Sequence, residues 1–258
     1  MLNPAYRRFL HLPGTHLTVT IGCGILFAAT VLAIALGQPR FAQLLTADER
    51  VVLYDIHGEP LGTVVDLGGT ATPELQLEAG DLMAEPDNIG DYADQRRFFA
   101  RQDELAAWAR QPGAKSITIS RKNGTYQELA LTPTGLLPFE FWFQLGIGFA
   151  IFVLSAWIWS IQTRSLPNRL FGLAGAGLGI AAASAALYST RWLALPSSIL
   201  VPFANINGVG ASIYGGAMIC LFLVYPVRLA SDRILLAVAM VVACWLVLGI
   251  FDMLGAPS

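Results

Sequence analysis

Arg96, Arg97 and Arg101, with Phe98 and Phe99 between them, form the densest cationic group in this chain. Guanidinium groups grip carboxylates and phosphates through paired N–H donors. The cluster is therefore a candidate site for an anionic ligand or a lipid headgroup, although Asp91 and Asp94 stand close enough to pair with the same arginines. Asn205 and Asn207 are a second candidate. They lie at the start of an apolar run, where an amide either lines a cavity for a small ligand or caps a helix beginning near Phe203. Catalytic signatures are missing. The histidines are His11, His16 and His57, which leaves no HExxH on a span and no serine–histidine dyad within one. No phosphate-binding GxxxxGK[ST] occurs, and Cys23, Cys220 and Cys244 form no CxxC pair. No catalytic residue, metal or cofactor is expected.

These residues need elements to hold them, and composition says of what kind. The chain has 258 residues, 55% hydrophobic and only 13% charged, whereas soluble domains carry about a quarter charged residues. It reads as an integral membrane protein. The net charge of −2 conceals an acidic stretch, Gln38–Thr134, with nine Lys and Arg against fifteen Asp and Glu. That balance argues against a nucleic-acid partner.

Apolar runs divide the chain. Leu17–Leu36 stands alone; Leu137–Ile161, Leu170–Tyr188, about Phe203–Tyr225 and Ile234–Leu254 follow after a polar interval. Each approaches the ~20 residues that cross a bilayer as a helix. The expected organisation is a cytoplasmic N-terminus over 1–16, a first span over 17–36, an extracytoplasmic domain over 37–134 and a four-helix membrane bundle over 135–258. Arg7, Arg8, Arg164, Arg169, Arg228 and Arg233 all fall on one side of this arrangement, and Arg191 alone on the other short connection. The positive-inside rule puts the six in the cytoplasm. Ala33-Ile34-Ala35 is similar to a signal-peptide cleavage pattern, but the run before it is longer than a usual signal core, so a retained anchor in a bacterial inner membrane is expected.

Within 37–134, Val51–Ile56 and Leu61–Asp66 read as paired strands around the His57–Pro60 turn. Asp103–Arg110 reads as a short helix with Leu105 and Trp108 on one face, stopped by Pro112-Gly113. Ser116–Ser120 and Tyr126–Leu131 read as a hairpin around Lys122-Asn123-Gly124. The order resembles a PDZ-like domain over roughly Val51–Pro133. Glu78-Ala79-Gly80-Asp81-Leu82 and Arg121-x-x-Gly124 carry the likeness. The family's carboxylate-binding glycine loop is reduced at best to Leu61-Gly62-Thr63-Val64. The fold class implied is an α-helical membrane protein of about five spans, with an α+β PDZ-like extracytoplasmic domain inserted between the first and second.

In the bundle, Gly175 and Gly179 form one small-residue step, and Gly208, Ser212 and Gly216 another, at the spacing that lets helices approach closely. A single span, an outer PDZ-like domain and then a bundle, with Leu221–Pro226 followed by Arg228, resembles the input half of ComP-like bacterial sensor histidine kinases. The resemblance implies a sensing module that passes an extracytoplasmic peptide or small-molecule signal through the bundle. It also implies a homodimer among membrane lipid, a further span and kinase domain after Ser258, and a response regulator as partner. The competing expectation is a stand-alone membrane accessory or assembly protein whose PDZ-like face holds a partner. A small transporter component is disfavoured by the lack of buried charge and of repeats.

Overall fold

The computed structural model describes residues 13–39, 44–47, 50–54, 60–69, 72–76, 81, 89, 92–111, 115–121, 123–130, 137–190 and 194–254. In chain order the elements are α1 (Pro13–Gly37), β1 (Leu44–Ala47), β2 (Arg50–Tyr54), β3 (Pro60–Gly69), β4 (Thr72–Gln76), α2 (Tyr92–Arg110), β5 (Lys115–Ser120), β6 (Tyr126–Ala130), α3 (Phe139–Ile161), α4 (Leu166–Tyr188), α5 (Ser197–Val224) and α6 (Asp232–Leu254). Among the described residues, α1, α3, α4 and α5 are long and apolar enough to cross a membrane. The fifth apolar run is also a helix, α6, of 23 residues.

The chain divides into two compact units. One comprises Ile34–Phe141 and Leu187–Ala204, the other Met1–Ala33, Trp142–Ala186 and Asn205–Ser258. The first holds the sheet, and it includes the α4–α5 connection, which the sequence assigns to the bundle rather than to the domain over 37–134.

The sheet runs in the order β1-β2-β3-β5-β6, with β4 also on β3, and every pairing is antiparallel. β3 is its axis. Its N-terminal part pairs with β2, and its C-terminal part pairs with β4 on that same edge, while β5 lies along the other. Val64 and Leu67 are both buried although three residues apart. A register shift between Val64 and Asp66 explains this, because one extra residue turns the next side chain back to the same face. Ile117 and Ile119 on β5 alternate regularly onto that face. Across it lies α2, whose Leu105, Ala106 and Ala109 follow helical spacing, with Trp108 beside them; Ala194 of the α4–α5 connection completes the core. The β5–β6 hairpin turns at Gly124, where φ is +78°, and the Asn123 carboxamide oxygen accepts from the Thr125 N–H and hydroxyl.

One expectation changes. The helix read as Asp103–Arg110 begins at Tyr92 and runs 19 residues, so the arginine cluster lies on the helix and not before it. Its first half contains neither Gly nor Pro, and being solvated it shows no apolar period to reveal it. Leu61-Gly62-Thr63-Val64 lies within β3, as its reading as a strand expects. Gly62 and Thr63 pair with β2, and Thr63 and Val64 with β5. The glycine serves close strand approach, since a Cβ on Gly62 would stand 2.8 Å from the Ser120 carbonyl oxygen.

In the helical unit, α4 is the hub: 56% of its apolar window is buried, against 28% or less in the other three. It packs antiparallel on α3 in steps. A Cβ on Gly148 would meet Ala182, one on Gly179 would meet Phe152, one on Gly175 would meet Ser155, and one on Gly172 would meet Trp159. Its other side meets α5 at Gly177 and Gly210, where a Cβ on either would lie 2.6 or 2.7 Å from the other's carbonyl oxygen. Such backbone approach is what small residues permit in helix packing.

Candidate functional site

The arginine cluster is engaged locally. Arg97 pairs with Asp94 one turn earlier on α2, both side chains exposed. Arg96 is exposed as well. Arg101 reaches back 20 residues: its Nε donates to both carboxylate oxygens of Asp81 at 3.2 Å, and one terminal nitrogen donates to Glu104 at 2.9 Å. The neighbouring Gln102 amide donates to the Asp81 carbonyl oxygen at 2.7 Å. Asp81 is 8% exposed, and a buried carboxylate needs such partners. Burial disfavours the Arg101 charge, but the bonds to Glu104 and the Asp81 carboxylate outweigh it and hold the guanidinium more firmly protonated than an ordinary arginine. Arg101 and Gln102 thus pin Asp81 to α2.

The next residue on α2 makes a connection that the sequence reading did not find. Asp103 accepts the backbone N–H of Ser197 at 2.8 Å and the Ser197 hydroxyl at 2.7 Å. Ser197 opens α5. The Pro196 carbonyl oxygen already accepts from Ile199 and Leu200 at 2.9 and 3.0 Å, so Pro196 stands at the N-cap. Proline offers no side-chain acceptor for the free amides of a first turn. A carboxylate 94 residues away supplies it and also places negative charge at the positive end of the helix. A further bond holds the same connection: the Ala194 N–H donates to the Pro39 carbonyl oxygen at 3.0 Å, and Arg110 of α2 donates to Gln38, the residue before Pro39, at 2.8 Å. The one sequence signal was a proline where a cap should stand, with Ser197-Ser198 after it.

The asparagines separate. α5 starts at Ser197, six residues before Phe203, and carries Pro202 inside it, so neither asparagine caps it. Asn207 donates to the Ala181 carbonyl oxygen on α4 at 2.8 Å and ties the two helices just beyond the Gly177–Gly210 contact. Asn205 instead lines a cavity of about 630 Å³ in the helical unit, with Phe27, Phe149, Phe152, Ile180 and Val209 among its walls. The Asn205 side chain has no hydrogen-bond partner among the described residues.

The glycine steps also divide. Gly175 and Gly179 face α3 as described. Gly216 faces Val242 of α6, where a Cβ would stand 2.9 Å away, while nothing lies within 4 Å of a Cβ on Gly208. Ser212 is half-buried between them. The α4–α5 seam therefore runs through Gly210, two residues away from the expected stripe. No family model, curated protein or solved structure matches the chain.

Proposed function

We propose that this chain is the membrane sensing module of a two-component signalling system. In this reading the sheet unit is extracytoplasmic and PDZ-like, the helices are five spans of a bacterial inner membrane with the N-terminus inside, and the output is a ComP-like histidine kinase. The observation that carries the proposal is the bond pair from Asp103 to Ser197. Within the sheet unit, α2 holds the first turn of α5, an apolar helix of 28 residues. A ligand that shifts α2 then changes how α5 begins, and α5 is tied to the hub helix by Asn207 and by the Gly177–Gly210 contact. A signal passes only as far as the ligand distinguishes the two arrangements energetically, and this geometry gives it something to distinguish. The one-sided distribution of Arg164, Arg169, Arg228 and Arg233 supports the orientation.

The test uses the product of the complete reading frame in native membranes supplied with ATP. Phosphate incorporation on histidine, with transfer to a response regulator, is the expected result. A protein that incorporates no phosphate and instead co-purifies stoichiometrically with another membrane protein would overturn the proposal in favour of the accessory role.

A further inference from the structure

The cavity in the helical unit has no part in the fastening just described. It is an open-sided cavity lined by residues of α1, α3, α4 and α5, all belonging to that one unit: Phe27, Ala28, Phe149, Phe152, Ile180 and Val209 give it hydrocarbon walls, and no charged side chain lines it. Two residues with polar side chains are among those that line it, Cys23 and Asn205. Cys23 is exposed and marks where the cavity meets the surface of the unit. Asn205 is half-buried and unpartnered among the described residues, although its neighbour Asn207 is fully employed in tying two helices.

We propose that this cavity binds a diffusible, uncharged amphiphile with one hydrogen-bonding head group and a hydrocarbon tail. Neutrality follows from the lining, since a charge entering it would meet no counter-charge and would lose its hydration. The single head group follows from Asn205, whose carboxamide both donates and accepts and so suits a hydroxyl or a carbonyl. Size follows from the volume. At about 30 Å³ for a water-sized group, 630 Å³ admits roughly 20 such groups at most, so a head group with a tail of about a dozen carbons fits within it. The volume lies within the range of small-molecule sites, which are mostly apolar with a few placed polar groups. The alternative occupant is an acyl chain of the surrounding bilayer. Such a chain carries its polar group at the interface and has no use for an amide at this wall. This inference is independent of whether a kinase forms the output.

The experiment places the purified full chain in lipid nanodiscs with a diazirine-tagged dodecanol, followed by photolysis and mapping of the labelled peptides. Saturable labelling around Phe27, Phe149 and Val209 is expected, with 1-dodecanol competing about three- to tenfold better than dodecane or dodecanoate, as one retained hydrogen bond allows. Val209→Trp, which intrudes on the cavity from its wall, should weaken the label. Asn205→Leu should keep the label but erase the preference for alcohol over alkane, and it serves as the deciding variant if the tryptophan disturbs insertion. Label that does not saturate and spreads over exposed residues such as Leu26 and Trp142 would show bilayer occupancy and overturn the proposal. An alcohol preference that survives Asn205→Leu would overturn it equally.

Discussion

Removing the Asp103 carboxylate should loosen the start of α5 and leave the rest of the helix intact. In the structure Asp103 satisfies one backbone N–H and one hydroxyl of Ser197 at 2.8 and 2.7 Å. Losing a helix cap costs typically about 1 kcal/mol, within about 0.5–2. The charge adds a few tenths through the helix dipole. Asp103 is exposed, so solvent screens part of this, and Asp103→Ala should cost about 1–2 kcal/mol of local stability. That corresponds to a roughly 5- to 30-fold rise in the opening equilibrium. Hydrogen–deuterium exchange in nanodiscs reads it directly: amides of Ser197 to Leu200 should exchange faster by that factor, while those of the Gly210–Met218 stretch should not change. Asp103→Asn keeps an acceptor but loses the charge and should fall between. Asp94→Ala, which removes an exposed pair on the same helix, should leave α5 exchange unchanged. Equal protection of Ser197–Leu200 in wild type and Asp103→Ala would refute the reasoning.

Gly177→Ala should disrupt the helical unit by about 1–3 kcal/mol, because its Cβ would lie 2.6 Å from the Gly210 carbonyl oxygen. Gly208→Ala should be neutral or stabilising by up to about 1 kcal/mol; thermal unfolding of the two variants checks the contrast. Arg101→Gln should lower the stability of the sheet unit by about 1–2 kcal/mol, discounted for a side chain 24% exposed, whereas Arg97→Gln should stay within about 0.5 kcal/mol. Because the Arg101 charge is held more firmly in the folded state than in the unfolded chain, its contribution is fully present below the ordinary arginine range and is lost only as pH rises through the folded value. The deficit of Arg101→Gln should therefore be constant between about pH 6 and 9, which chemical unfolding at several pH values measures.

Much of this arrangement was legible in the residues. The apolar runs fall within six residues of helix boundaries, and strands β2, β3, β5 and β6 lie close to where the alternation places them, although Pro60, read as part of a turn, opens β3. Several features escaped for identifiable reasons. Strands β1 and β4, of four and five residues, are too short to show a period. Pro202 reads as a helix breaker, yet α5 begins five residues before it. Gly177 and Gly210 stand outside any four-residue small-residue step that joins them, because the approach of two backbones is decided by both helices at once. Asp103 and Ser197 are 94 residues apart, and the only local sign of their bond is an N-cap position filled by proline.

In the proposed function, α2 governs the start of α5 and through it an output. The most direct measurement compares the phosphorylation rate of the complete protein in inverted membrane vesicles for wild type, Asp103→Ala and Asp94→Ala, at equal membrane content. A change of about fivefold or more in either direction for Asp103→Ala, matching the ~1 kcal/mol of the lost cap, with Asp94→Ala unchanged, is the expected result. Indistinguishable rates in all three, with the α5 start shown to be loosened in Asp103→Ala, would overturn the proposed coupling.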